Sequence, residues 1–524
     1  MILETSSIIK NILILFIASI IQVDDRLVES ATNPIIIKGA KLFDSVTKDQ
    51  FFIKGVAYQP RSTGSANFND PLAASNDCKR DLPYLQQLGV NAVRVYEVDI
   101  SQNHDQCMQM FSDAGIYLLL DLPTPDFSIN RDNPQWNVDL YNHYTATVDS
   151  FAKYPNVLGF FAGNEVTNNK SNTPASAFVK AAIRDLKSYI NATANRPIPV
   201  GYASNDDQDT RVSLLEYFDC ISDGNVNTQA DFYGLNLYEW CGNSTFESSG
   251  WAARTQEFSN YSIPVLMSEY GCNLVSPRPF TEVATLYGPQ MTSIWSGGIV
   301  YEWTEEANNY GLVKVNDNSS ITPLQDFYNL KQQLANINPA GVKYDSYSPD
   351  NKPSDCPSNS PTWQASAHLP PTPSEKACQC MVSSLSCVTS NQTASNNQTI
   401  TDAFSLICGY TRCADITANA TTGAYGKYSF CDDADKLSYE FNLYYQSQNK
   451  NPAACDFKGL AAITTPSRTN DDECATLSTT PTPSINSKNN GNKSSNADVI
   501  MSKGFDMWIY FVCSLLFVEL IDLL

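Results

Sequence analysis

The chain is poor in the residues that metal and phosphate chemistry requires. Histidine occurs three times in 524 residues, as His104, His143 and His368, with no His-Glu-x-x-His and no paired ligand spacing. That argues against a zinc site. No Gly-x-Ser-x-Gly elbow and no Walker loop is present, which excludes the hydrolases and nucleotide enzymes built on them. Neither a metal nor a cofactor is called for. Positive charge is also scarce: 34 Lys and Arg stand against 55 Asp and Glu, a net charge of −21. Nucleic-acid binding through a basic face is therefore not expected. Long apolar runs are missing at the C-terminus, where the uninterrupted part from Met507 to Val518 is far shorter than the roughly 20 residues of a membrane-spanning helix.

Both ends instead read as targeting signals. Lys10 precedes "NILILFIASIIQ", an apolar run of secretory length, so residues 1–22 are expected to be a signal peptide, with cleavage between Ala18 and Ala31. Small residues, a polar spacer and the apolar tail "MWIYFVCSLLFVELIDLL" form the pattern of a GPI-attachment signal over 497–524. Ser494, Ser495 and Asn496 are the candidate attachment sites, with Gly491 as a further one. The expected location is the outer face of the plasma membrane or the cell wall, reached through that anchor. Cysteine use agrees with export. Of 15 cysteines, Cys513 lies in the tail that would be removed, and fourteen remain to pair in an oxidising compartment. Nine Asn-x-Ser/Thr sequons, at Asn169, Asn191, Asn243, Asn260, Asn318, Asn391, Asn397, Asn419 and Asn492, fit a glycosylated surface protein.

The cysteines divide the chain. Cys78, Cys107, Cys220, Cys241, Cys272 and Cys356 are spread thinly, whereas Cys378, Cys380, Cys387, Cys408, Cys413, Cys431, Cys455 and Cys474 are crowded together. The proline- and serine-rich stretch 351–376 between the groups reads as a linker. The layout is then a first domain at 33–350, a cysteine-dense module at 377–475 and a polar stalk at 476–496. In the first domain apolar runs recur at 51–58, 91–98, 116–122, 157–165, 198–204, 231–240, 263–271 and 297–303. Most are continuous rather than alternating, as for strands buried on both faces of a parallel sheet. Helical patterns lie between several of them. In "TPASAFVKAAIRDLKSYI", Thr173 is the expected N-cap and Pro174 the first helical residue. Eight strands alternating with helices in about 300 residues is the count of a (β/α)8 TIM barrel, an α/β fold.

Active sites of such barrels gather at the C-terminal strand ends. There the chain places Gln59, Tyr96, Asp121, Asn164 with Glu165, Asp206, Tyr238, Glu269 and Tyr301. Glu165 ends the fourth run and Glu269 the seventh, separated around an eight-membered ring so that both carboxylates could aim at one central spot. Two carboxylates flanking one bond are what glycoside cleavage needs. In the retaining form one attacks the anomeric carbon while the other protonates the leaving oxygen, then serves as base for the acceptor. Asn164 is placed to bond the sugar 2-hydroxyl, and Tyr301 is expected to hydrogen-bond Glu269 and keep it ionised. For Asp206 and Arg211, five residues apart in "NDDQDTR", sugar binding and a surface salt bridge are equally compatible with the residues.

The ordered motifs "VAYQP", "CKRDLPYLQQLGVNAVRVYEVD", "LLLDLPTP", "FFAGNEV", "VGYASNDDQDTR", "YGLNLYEWCG", "MSEYGCN" and "GGIVYEW" resemble the Gas/Phr family of fungal, GPI-anchored β-1,3-glucanosyltransferases, glycoside hydrolase family 72. The cysteine-dense part resembles the glucan-associated module of one branch of that family. The resemblance implies Glu165 as acid/base and Glu269 as nucleophile. It implies Tyr96, Asn164, Asp206, Arg211 and Tyr301 as substrate-binding residues, with Gln59, Asp121 and Tyr238 as further contributors. It also implies the bridges Cys78–Cys107, Cys220–Cys356 and Cys241–Cys272. The pairing of the eight module cysteines stays open among 105 arrangements. The implied activity elongates β-1,3-glucan in the cell wall, with glucan as donor and acceptor and the enzyme a monomer. Two alternatives share the same residues: a retaining endo-β-1,3-glucanase and a non-catalytic glucan-binding wall protein.

Overall fold

A computed structural model of the chain describes residues 32–59 and 68–477. The expected signal peptide, the stalk beyond Leu477, the anchor signal and Ser494, Ser495 and Asn496 lie outside these residues. The fold opens with an antiparallel hairpin of β1 (Ile35–Lys38) and β2 (Lys41–Asp44). Eight parallel strands then close into a barrel: β3 (Ile53–Ala57), β4 (Ala92–Val95), β5 (Tyr117–Asp121), β6 (Val157–Asn164), β7 (Val200–Ser204), β8 (Phe232–Leu237), β9 (Val265–Tyr270) and β10 (Trp295–Val300). Each pairs with the next, and β10 returns to β3. This is the expected TIM barrel, with the last strand beginning two residues before the run at 297–303.

Strands such as β5 and β8 are buried at every position, because helices cover one side and the barrel interior the other. The covering helices are α1 (Ser75–Leu88), α2 (Asp105–Asp113), α3 (Val138–Phe151), α4 (Ala175–Thr193), α5 (Arg211–Asp219), α6 (Trp251–Glu257), α7 (Glu282–Leu286) and α8 (Gln325–Ala335). Ile35 and Leu42 of the hairpin pack with Ile53, Leu119, Phe161, Phe232, Leu266 and Ile299. The hairpin therefore plugs the N-terminal end of the barrel. Phe232 fills the interior because Gly201 faces it: a Cβ at Gly201 would lie 2.5 Å from that ring. The start of α4 differs from expectation. Pro174 occupies the N-cap position, and the Thr173 hydroxyl accepts from the Gln364 amide at 3.0 Å instead of capping the helix.

Gln364 belongs to the proline-rich stretch, which is no loose spacer. Cys356 is bridged to Cys220, Trp363 is fully buried against Tyr217 with ring centroids 5.1 Å apart, and the Tyr217 hydroxyl donates to Ser366 O at 2.6 Å. Composition points to a spacer, but one buried tryptophan and one disulfide turn the stretch into a strap along the barrel. Cys78–Cys107 joins α1 to α2, and Cys241–Cys272 ties the segments following β8 and β9. The module contains α9 (Glu375–Ser383), α10 (Asn391–Ala394), α11 (Asn397–Ile407) and α12 (Asp433–Ser447). Its bridges are Cys378–Cys431, Cys380–Cys474, Cys387–Cys455 and Cys408–Cys413. Native bridges in small exported domains contribute about 2–5 kcal/mol each. The module rests on the barrel at α3, where Val138 joins its core and donates its amide to Phe430 O at 3.0 Å.

Candidate active site

Side chains alternate along a strand, and in β4 the outward pair Val93 and Val95 joins the helix-facing core while Ala92 joins the barrel interior. Arg94 lies on the Ala92 side, so a full positive charge points into the barrel with none of its surface exposed. A buried charge must be paired and hydrogen-bonded. Arg94 grips Asp121 through two bonds, Nε–Oδ1 at 2.9 Å and Nη2–Oδ2 at 2.8 Å, the fork geometry in which guanidinium and carboxylate bind most strongly. It also donates to Asn164 Oδ1 at 3.0 Å, Ser268 O at 3.1 Å and Glu269 Oε1 at 3.3 Å. The rings of Phe161 and Tyr96 lie 4.4 and 4.6 Å from its Cζ. Burial pulls against the guanidinium charge, but Asp121, Tyr96 and Glu269 outweigh it and hold Arg94 protonated.

Arg94 thereby reaches Glu269, near the end of β9 and 12% exposed. Two phenols complete its shell: Tyr96 donates to Oε1 at 3.0 Å and Tyr238 to Oε2 at 2.8 Å. Burial raises the Glu269 carboxyl above the ordinary range, and the charge of Glu165 pushes the same way. Arg94 and the hydroxyls of Tyr238 and Tyr96 pull it back. Burial, with the Glu269 charge next in importance, raises both tyrosines so that each stays a donor. The expected bond from Tyr301 is not among them: the phenols donating to Glu269 are Tyr96 and Tyr238. The Tyr301 ring stands edge-on to Tyr96, Tyr238 and Tyr310 at 6.4, 6.4 and 5.3 Å, walling the site beside the two hydroxyls that do reach Glu269.

Glu165 follows the last residue of β6 and has φ 49°, a left-handed backbone that costs a glutamate about 1–3 kcal/mol. Its amide donates to Ala203 O at 2.8 Å, its carbonyl accepts from Arg131 Nη2 at 2.8 Å, and its Oε1 accepts from Asn236 Nδ2 at 2.8 Å. Asn236 is turned by Ser268, whose hydroxyl donates to Asn236 Oδ1 at 2.7 Å, and it also donates to Asn164 Oδ1 at 3.2 Å. Asn164 Oδ1 is therefore the shared acceptor of Arg94 and Asn236, and links the surroundings of the two glutamates.

Tyr96, Asp121, Asn164, Tyr238, Glu165 and Glu269 thus form one connected cluster, with Tyr301 against it. Gln59 is buried behind it, its Oε1 accepting from the Tyr96 and Glu97 amides at 3.1 and 3.2 Å. Asp206 and Arg211 stand apart in an ion-pair network: Arg254 Nε lies 2.9 Å from Asp206, while Arg211 Nε lies 3.3 Å from Glu257 and 3.7 Å from Asp206. A cavity of about 480 Å³ opens beside the cluster, bounded by Tyr96, Asp121, Asn164 and the loop from Pro123 to Asp132. Strand-end residues alone do not include Arg94, Asn236 and Ser268, which sit one or two residues before the ends of their strands. The signal for Arg94 is present in "NAVRVYEV": a charge inside an apolar run has to have partners.

A clamped, nearly buried glutamate with the charge of a second glutamate close by, at one mouth of a (β/α)8 barrel, is the layout of the two-carboxylate class of carbohydrate-active enzymes. Comparison with known proteins narrows the class. The family model described as Glucanosyltransferase, of glycoside hydrolase family 72, matches residues 25–338, and an X8 domain model matches 385–462; the chain belongs to this family. Protein EPD1 of Candida maltosa is 52% identical over 432 residues, 82% of this chain and 78% of that protein. The 1,3-beta-glucanosyltransferase GAS2 of Saccharomyces cerevisiae is 46% identical, over 81% of this chain and 78% of its own. A solved structure of a glutamate-to-glutamine mutant of Saccharomyces cerevisiae Gas2p in complex with laminaritetraose and laminaripentaose superposes with a TM-score of 0.75. It is 45% identical, over 82% of this chain and 95% of that one.

Proposed function

We infer that the protein is a retaining β-1,3-glucanosyltransferase that lengthens cell-wall glucan. The observation that carries the mechanism is the unequal dressing of two glutamates at one barrel mouth. Glu269, whose carboxylate is bonded by Arg94, Tyr96 and Tyr238, is the nucleophile. Its oxygen bonds to the anomeric carbon as the β-1,3 bond breaks, and Glu165 gives its proton to the departing oxygen. Glu165, now a carboxylate, takes the proton of the 3-hydroxyl at the nonreducing end of an acceptor glucan. That oxygen displaces Glu269, and two inversions return the β-configuration. Asn164, with its carbonyl oxygen occupied by Arg94 and Asn236, turns its amide N–H groups to the 2-hydroxyl, a contact that strengthens in the transition state. Tyr301 and Tyr238 supply apolar ring surface for sugar faces. Asp206 and Arg211 bind sugar hydroxyls further along the cleft, with Gln59 and Asp121 supporting Tyr96 and Arg94 from behind.

Transfer requires that an acceptor sugar, rather than water, reach the glycosyl-enzyme. Incubation with reduced laminari-oligosaccharides tests this: products longer than the donor are expected, and shorter products alone would identify a hydrolase. The chain works as a monomer on the outer face of the plasma membrane, held by a GPI anchor at Ser494, Ser495 or Asn496. Treatment of cells with a phosphatidylinositol-specific phospholipase is expected to release it.

A further inference from the structure

The backbone of Glu165 has φ 49°, a region that bulky L residues seldom enter. Such a conformation persists only where its surroundings over-determine it. Two of the bonds that fix it come from the barrel: the Glu165 amide on Ala203 O of β7, and Asn236 of β8 on the carboxylate. The third does not. Arg131 comes from the loop after the neighbouring strand β5 and donates Nη2 to the Glu165 carbonyl at 2.8 Å. That carbonyl lies one residue beyond Asn164, where the pairing of β6 with β7 ends. The loop behind Arg131 is braced: Ile129 is buried in the core, and Asn130 Oδ1 accepts from the amides of Asp132 and Asn133 at 2.8 and 3.2 Å. Arg131 itself is exposed and lines the cavity beside the glutamates.

We propose that Arg131 is a positioning residue for the acid/base, its guanidinium holding the Glu165 main chain in the left-handed conformation that aims the carboxyl at the glycosidic oxygen. The inference rests on Glu165 being the acid/base. Proton delivery depends on geometry at the leaving oxygen, whereas attack by Glu269 does not involve Arg131. Loss of Arg131 is therefore felt where the leaving group needs a proton and is spared where it does not.

The test uses the full chain with two donors: an unmodified laminari-oligosaccharide, and the same oligosaccharide carrying a dinitrophenyl leaving group, which departs without protonation. Glu165→Gln serves as the reference and is expected to abolish use of the first donor while keeping the initial burst of dinitrophenolate. Arg131→Ala is expected to slow the unmodified donor by about 10- to 100-fold, and the burst by less than about threefold. Arg131→Lys, which keeps a cationic N–H donor at shorter reach, is expected to recover part of that loss. Equal losses on both donors would make Arg131 a sugar-binding side chain and overturn the inference, as would no loss on either. If Glu165→Gln slowed both donors alike, the acid/base assignment itself would fail. That result differs from a normal Glu165→Gln pattern with an insensitive Arg131→Ala, which overturns the Arg131 inference alone.

Discussion

The two sides of the barrel mouth are built on opposite plans. Around Glu269 the wall is dense and charged: one guanidinium and two phenols converge on a carboxylate that is almost buried. Around Glu165 the side chain meets one amide, from Asn236, and the elaborate part is its backbone, bent to φ 49° and bonded at both amide and carbonyl. A nucleophile must remain ionised inside a low-dielectric pocket, so its carboxylate is stabilised directly. An acid/base has to gain and lose a proton in each cycle, so fixing its position while leaving its charge lightly held serves better. The strands beneath supply the two glutamates with different neighbours, and the proposed division of roles rests on that difference.

The comparison can be broken from either side. Glu269→Ala removes the bond-forming oxygen and is expected to lower transfer by at least about 10⁴-fold, measured as chain lengthening of reduced laminari-oligosaccharides. Glu165→Gln is expected to cost about 10²–10⁴-fold in the same assay. Arg94→Met leaves Asp121 and Glu269 buried without their cation, and removing one partner of such a pair destabilises by about 3–5 kcal/mol. Thermal unfolding should therefore show it as a large fall in the midpoint, with activity lost in the fraction still folded. Tyr238→Phe is the finest probe. Burial already raises Glu269, and the Tyr238 hydroxyl is one of the groups lowering it. In the proposed mechanism Glu269 attacks as an anion, so activity falls as pH drops through its pKa. Removing the hydroxyl raises that pKa further, and the acidic limb of kcat/KM moves to higher pH. An unchanged limb would mean that the bond does not tune Glu269.

Much of this was legible in the residues, for physical reasons. Continuous apolar runs bounded by turns mark buried parallel strands, and all eight barrel strands overlap such runs. The glutamates stand out because active sites of such barrels gather at the C-terminal strand ends, and only a pair of carboxylates there suits glycoside cleavage. What stayed hidden are groups whose role depends on cross-strand register. Arg94 and Asn236 read as interruptions of apolar runs, and only barrel closure brings them to Glu269 and Glu165. Tyr301 was the tyrosine singled out for Glu269, yet Tyr96 and Tyr238 hold it; residue type carries no direction, so three strand-end tyrosines look alike. The strap from 351 to 376 misleads through composition, since Trp363 outweighs the prolines and serines around it. The module's bridges join cysteines up to 94 residues apart, pairings that no local pattern encodes.

In the proposed mechanism Glu269 carries the glycosyl group between donor and acceptor. A fluorosugar laminari-oligosaccharide donor, which slows turnover of the covalent intermediate, should inactivate the enzyme and leave one adduct. After proteolysis, mass spectrometry is expected to place that adduct on Glu269. An adduct on Glu165, or persistent activity with no adduct at all, would contradict the account.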